Sequence, residues 1–268
     1  MKCSIVTISY NQAEFIERTI KSVIAQRNCG VDIEYIIVDP GSTDGSRDII
    51  NKYEDQIDKI IFEKDDGPAN GLNIGFAAAT GEIYGFLNSD DILYPGVIAK
   101  LIEQMTKHEF DVISANSYLI DKNDNKFRKL FSDKFSLLAA AYGASILIQP
   151  STLFTGEVFH KVSGFNEGNR SNWDGELFID FAIQGAQFGR SDLFASGYRL
   201  HDESITGTKK IDMEIQKYHQ RIFNKILNRN WGKRDFALQY IFKIARKIIN
   251  YKDTKERLLK GKSYGRLS

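Results

Sequence analysis

The first 115 residues alternate short β-branched runs with helical stretches, and no other feature constrains the fold as much. Residues 4–9 (SIVTIS) read as a strand, followed by a helix over 13–26 in which Phe15, Ile16, Ile20, Val23 and Ile24 recur at helical spacing. Residues 35–38, 60–62 and 83–87 read as further strands, and 44–53, 69–79 and 94–107 as the helices between and after them. Strands joined through helices pair in parallel by crossover connections. The pattern predicts an α/β fold: a Rossmann-like, open, mostly parallel sheet with flanking helices. From 111 to about 198 it becomes mixed, with short strands and polar loops, and 211–262 is helical in character.

A chain of 268 residues, 42% of them hydrophobic, buries one large core with room for an appendage. Charge marks where the appendage begins. Residues 1–208 carry 19 Lys/Arg against 30 Asp/Glu, a net of −11, and residues 209–268 carry 17 against 5, a net of +12. We therefore expect an acidic globular body over 1–208 and a basic helical C-terminal extension over 209–268. The two cysteines, Cys3 and Cys29, form neither a disulfide framework nor a zinc motif. The amino terminus lacks the pattern of a signal peptide, and the longest apolar stretch, 137–148, falls short of the roughly 20 residues of a membrane-spanning helix. These features suggest a cytoplasmic protein, soluble or peripheral on the inner face of a membrane.

In open α/β sheets ligands sit outside the carboxyl ends of the strands. Here those ends read Ser9-Tyr10-Asn11, then Asp39-Pro40-Gly41-Ser42-Thr43-Asp44-Gly45, then Glu63-Lys64-Asp65-Asp66-Gly67, then Asn88-Ser89-Asp90-Asp91. One acidic strand end is an ordinary turn or helix cap. Several on one sheet edge repel one another unless a divalent cation or donor groups lie between them. No G-x-G-x-x-G follows the first strand and no G-x-x-x-x-G-K-[ST] occurs, which disfavours dinucleotide enzymes and P-loop NTPases.

The stretches VTISYNQAEFIERTIKSVIAQ, EYIIVDPGSTDGSRDII and GEIYGFLNSDDIL, in this order, resemble the inverting family 2 glycosyltransferases of the GT-A fold. EKDDGPANGLNIGFAAATGE is similar to members that build bacterial surface polysaccharides. The resemblance covers about residues 1–208. It implies transfer of a sugar from a nucleotide diphosphate, most simply a UDP-sugar, to the hydroxyl of a saccharide or lipid-linked saccharide, with Mg²⁺ or Mn²⁺ as cofactor. Asp39 matches the acid that reads the nucleobase, and Asp66 and Asn73 match positions lining the nucleotide or sugar pocket. Ser9, Asn11, Asn88 and Ser89 complete the expected donor side. Asn88-Ser89-Asp90 falls where the family carries D-x-D, with Asn88 replacing the first acid. Asp90, Asp91 and His201 are the expected metal residues. In GFNEGNRSNWDGELFIDFAIQG, Asp174 matches the catalytic base, Glu176 a second acid and Trp173 an acceptor-stacking ring; Gln149 matches a pocket position facing acceptor or donor sugar.

Read from the residues alone, Asp174 and Glu176 also suit a helix start, where acids complement the dipole. A sugar nucleotidyltransferase would carry a glycine- and basic-rich loop after the first strand, and SYNQAEF is not one. A non-catalytic sugar- or lipid-binding scaffold remains the alternative of a different class. In the extension, Ile241, Ile244, Ala245, Ile248 and Ile249 share a helical face, with Lys243, Arg246 and Lys247 beside or opposite it. That helix either packs on the domain with a solvated basic face or lies on an anionic membrane. The acidic body argues against nucleic acid as a partner.

Overall fold

The computed structural model describes residues 1–169, 171–201 and 211–261, with side chains in the last stretch described from residue 217. Its centre is a nine-stranded sheet with strand order β3-β2-β1-β4-β8-β6-β9-β5, and β7 added beside β6. The strands are β1 (Lys2–Ile8), β2 (Asp32–Val38), β3 (Lys59–Ile61), β4 (Ile83–Asn88), β5 (Ile92–Leu93), β6 (Val112–Ile120), β7 (Lys126–Leu130), β8 (Thr152–Thr155) and β9 (Phe188–Arg199). The helices are α1 (Ile16–Ile24), α2 (Ser46–Asn51), α3 (Pro68–Ala77), α4 (Val97–His108), α5 (Leu137–Ala141), α6 (Gly156–His160), α7 (Trp173–Ile183), α8 (Ile211–Leu227), α9 (Lys233–Ile249) and α10 (Tyr251–Lys260).

The expected α/β class holds, with flanking helices and C-terminal helices in place. Parallel pairing runs through β3-β2-β1-β4 and returns between β6 and β9; β8 meets both β4 and β6 antiparallel. The sheet is thus parallel where helical crossovers join its strands and mixed beyond β4, where the links become irregular.

Both faces of the parallel half are covered, so its strands are apolar on both sides. Ile5, Tyr35 and Ile37 face α1 and α4 in one cluster with Ile16, Ile20 and Leu101. Their neighbours Val6, Ile36 and Val38 face the other way, onto Leu72, Phe76, Trp173 and Phe181. Helix α3 crosses β1 so closely that a Cβ on Gly75 would lie 2.4 Å from a Val6 methyl, which admits only glycine there. Cys3 is buried and Cys29 half-buried, both as free thiols.

The expected boundary at residue 208 lies outside the described residues. Helix α8 buries Ile222 and Phe223 against Ala140, Ile179, Ala141 and Tyr142, so it packs directly on α5 and α7. Helices α9 and α10 dock mainly through polar groups. Asp235 accepts hydrogen bonds from both terminal nitrogens of Arg229 at 2.7 Å and from the Tyr142 hydroxyl at 2.9 Å. The Arg229 guanidinium, foremost, holds its carboxyl far below the ordinary range. Arg246 reaches Asp133 at 2.6 Å, and Asp253 is approached by Arg257 at 2.7 Å, Arg246 at 3.5 Å and Arg128 at 3.8 Å. No helix among the described residues is long and apolar enough to cross a membrane.

Candidate active site

Strand register sets the site. Ile8 pairs with Val38 on one side and Asn88 on the other, so Ser9, Asp39 and Ser89 leave the sheet at one level of the same rim. The Ser9 backbone N–H donates to the Val38 carbonyl at 2.9 Å, while its buried hydroxyl has no partner among the described residues. Asn11 takes a positive φ of 52°, which lets its N–H donate to Ser42 Oγ and its Oδ1 accept from Thr43 N–H, clamping the 42–43 loop to the rim. Asp39 is fully buried. Its Oδ1 accepts from the Gly41 and Ser42 backbone and from Arg47 Nε at 2.9 Å, and its Oδ2 accepts from the Ser42 hydroxyl. Arg47 in turn lies over the Phe62 ring at 4.5 Å.

Asp66 is exposed and its N–H donates to Asn70 Oδ1 at 3.1 Å. Its neighbour Asp65, which sequence reasoning did not assign to the site, lies at the rim. A Cβ on Gly71 would meet Asp65 Oδ2 at 2.6 Å and an Ile8 methyl at 3.4 Å, which puts this carboxylate above the end of β1. Burial first, then the charges of Asp66 and Asp39, raise its pKa against the hydrogen bond from Gly67 N–H. Asn73 uses its amide to fasten α3 to the 165–167 loop: Nδ2 donates to the Phe165 carbonyl and Glu167, and Oδ1 accepts from Phe165 N–H at 2.8 Å.

The end of β4 gathers the remaining rim residues. Thr19 of α1 donates to the carbonyls of Ser89 and Asp91, fixing the turn. Asn88 Nδ2 lies 3.4 Å from Gln149 Oε1, and Gln149 Nε2 donates to the Phe86 carbonyl at 2.7 Å. Asp90 Oδ2 lies 3.1 Å from His201 Nε2, a contact bridging 111 positions of chain, and the imidazole also rests 4.7 Å from the Phe15 ring. Asp91 points elsewhere. It is buried, its Oδ1 accepts from Arg199 N–H at 2.8 Å, and its Oδ2 has no partner among the described residues. Burial and then the adjacent Asp90 charge raise its carboxyl well above the usual range. No cluster of three or more His, Cys, Asp or Glu side chains forms a metal cage among the described residues. Asp90 and His201 nevertheless fit a magnesium-like ion, which needs only one or two protein ligands and fills its other positions with water and phosphate oxygens.

Asp174, second residue of α7, opens on a cavity of about 280 Å³ lined by Phe135, Ile146, Leu147, Phe178, Tyr218 and His219, among others. Burial raises its pKa, opposed by the backbone N–H groups of Gly175 and Asp174 itself. Asp39 and Asp90 stand outside this lining. The connection is the 145–149 segment: Leu147 lines the cavity, and Gln149, two residues on, touches Asn88. Two residues span at most about 7 Å.

Glu176 faces a separate cavity of about 460 Å³. It is buried and accepts from Asn166 and Asn169, with Arg221 and Lys225 beside it. Burial alone would raise its pKa, but the hydrogen bonds from Asn166 and Arg221 hold it below the usual value. The Trp173 indole lies in the apolar cluster beneath α7 with 7% of its surface exposed, its ring covered rather than offered to a sugar. Nothing in the sequence marked Tyr218 or His219, whose helix reads only as amphipathic. Burial, then the charges of Asp174 and Glu176, push the Tyr218 phenol far up, and burial lowers the His219 pKa.

The family model for glycosyl transferase family 2 matches residues 4–162. A protein of Nostoc sp. named as an uncharacterized glycosyltransferase is 38% identical over 173 residues, covering 60% of this chain and 53% of its own. The chain therefore spans about half the length of that curated relative. S. aureus TarS 1–349 in complex with UDP-GlcNAc superposes with a TM-score of 0.67 at 17% identity, over 97% of this chain and 73% of that one. The mannosyltransferase PcManGT from Pyrobaculum calidifontis, in complex with GDP-Man and Mn²⁺, gives a TM-score of 0.64 at 15% identity, over 96% and 73%. With the matched segment holding the whole rim from Ser9 to Asp91, this chain belongs to glycosyltransferase family 2 and has the GT-A fold.

Proposed function

We propose that the protein is an inverting glycosyltransferase that moves a sugar from a UDP-sugar to the hydroxyl of a saccharide or lipid-linked saccharide. The observation that carries this reading is the meeting of Asp90 and His201 at the end of β4, 3.1 Å apart. The sugar nucleotides bound by the two structural neighbours support a nucleotide-sugar donor. A role in bacterial surface polysaccharide or glycoconjugate synthesis rests on the resemblance of residues 63–82.

Asp90 and His201 would hold the divalent cation, Mg²⁺ or Mn²⁺. When bound, it neutralises charge building on the leaving diphosphate, typically by several kcal/mol. The rim does the rest of donor binding: Asp39 and the Asn11-clamped loop shape the nucleoside end, and Asp65 stands where the sugar or diphosphate arrives. Asp174 takes the proton of the acceptor hydroxyl as its oxygen attacks the anomeric carbon and the nucleotide leaves. A carboxylate whose pKa is raised by burial is a stronger base than an exposed one, which suits this step. Tyr218 and His219 wall the acceptor side, so the extension takes part in the site.

Isothermal titration with UDP, with and without Mn²⁺, tests the reading. Binding should strengthen when Mn²⁺ is present and lose that dependence in Asp90→Asn. Equal affinity with and without metal, or no UDP binding at all, would overturn it.

A further inference from the structure

Helix α9 is built inside out. Its inward contacts come from Asp235, Phe242, Arg246 and the following Asn250, of which only Phe242, stacked 4.8 Å from Tyr142, is apolar. Its isoleucines point to solvent instead: Ile241 is 57% exposed, Ile248 70% and Ile249 75%. Tyr240 and Ile244 extend this outer stripe. Helix α10 repeats the construction, with Asp253 and Arg257 turned inward and Leu258 and Leu259 outward. Exposing this much aliphatic surface costs about 25 cal/mol per Å², so the face is one that another phase or molecule covers.

The flanking charges identify what covers it. Lys243 and Lys247 border the stripe on α9, Lys252 and Lys255 border the outer face of α10, and none of the four has an acidic partner among the described residues. The acids of these helices that are buried, Asp235 and Asp253, are already matched by arginines on the inner side. The outer face therefore combines aliphatic and tyrosine side chains with uncompensated lysines. A second copy pairing through this face by a two-fold axis would oppose lysines to lysines. An anionic bilayer accepts the aliphatic stripe at its boundary while the lysine stems reach the headgroups.

We infer that α9 and α10 form an interfacial platform that binds anionic lipid surfaces, lying in the membrane plane. This stands on surface chemistry alone and does not depend on the catalytic assignment: vesicle binding and UDP titration are read separately.

The test is flotation of the full chain with vesicles of phosphatidylglycerol and phosphatidylcholine in equal parts, and of phosphatidylcholine alone. The protein should float with the first and not the second. Lys243→Gln with Lys247→Gln should lower partitioning about thirtyfold, each lysine near an anionic surface contributing on the order of 1 kcal/mol. Ile244→Ser with Ile248→Ser should abolish flotation while leaving the melting temperature unchanged. Absence of binding to the anionic vesicles would overturn the inference. So would a fall in melting temperature in the isoleucine variant, which would show a packed face, or a dimer in light scattering that this variant dissolves.

Discussion

A Cβ placed on Gly175 would stand 2.8 Å from the Tyr218 hydroxyl oxygen, so α7 and α8 meet beside Asp174 through a glycine and a phenol. Nothing larger fits without moving the tyrosine. Gly175→Ala should push Tyr218 away from the cavity and lower kcat/KM for the acceptor by about tenfold, a loss of roughly 1.4 kcal/mol. Adding Tyr218→Phe removes the clashing oxygen and should restore most of the loss. The double-mutant cycle measures this coupling, and additive effects would show that the contact does not shape the site.

Asp174→Asn should reduce transfer by about 10²–10⁴-fold, the usual contribution of general base catalysis, with UDP affinity unchanged. Because burial raises the Asp174 pKa, the acid limb of the wild-type rate profile should lie above the range of an ordinary aspartate. The same shift has a cost in stability. A carboxyl with a raised folded-state pKa is most favourable while protonated, and stability falls as pH rises through that pKa. Asp174→Asn should therefore melt at a higher temperature than wild type at pH 7, and converge with it in acid.

Glu34 offers the opposite case at the amino ends of the strands, away from the site. Burial opposes its charge, yet Lys2, Ser4 and Thr80 together hold its pKa at about 2. A depressed carboxylate stabilises above its unfolded pKa and loses that contribution as pH falls through the folded value. Glu34→Gln should destabilise the protein by about 2 kcal/mol at pH 7, the scale of hydrogen bonds to a charged group. The difference should close as pH falls from 4.5 toward 2, and the kinetics of the variant should be unchanged. Denaturant unfolding at several pH values checks both.

Glu176 was expected to touch the acceptor, but its caging by Asn166, Asn169 and Arg221 predicts a different phenotype. Glu176→Gln should loosen the hold on Asn166 and Asn169 and cost about 2 kcal/mol of stability. The acceptor KM should change by less than about threefold, whereas a direct sugar contact would raise KM and leave melting untouched.

The parallel half was legible because buried strands in such sheets are nearly continuous β-branched runs, and YIIV or SIVTI followed by polar turns leaves few alternatives. Strands such as β7 (KFRKL) and β8 (TLFT) are short and partly polar, so their pairing depends on partners far along the chain. At the site, motif position led to Asp90 and His201, whose side chains meet. Adjacent acids were harder to separate: Asp65 lies against the end of β1 while Asp66 is exposed, and Asp91 points away from Asp90 toward Arg199, differences set by tertiary packing. Tyr218 was invisible because only α7, brought against α8 by folding, gives it a role. The isoleucine stripe of α9 was plain in sequence. Its outward orientation was not, since that follows from Arg246 of α9 reaching back to Asp133 and from Asp253 of the next helix reaching Arg128.

The cavity around Asp174 is enclosed by the 135–147 segment, α7 and α8, one wall being Tyr218 and His219 of α8. On the proposed reading, the strand ends that would face the nucleotide precede residue 92 and are joined from later in the chain by His201, whereas the surfaces that would face the incoming hydroxyl come from beyond residue 132. Two halves of one reaction vessel would then be encoded, His201 aside, in consecutive stretches of gene. On that reading, exchanging the later stretch between relatives that keep the histidine at 201 would alter which acceptor is chosen and leave the choice of donor intact, and a protein shortened before α8 would be left without one side of the vessel.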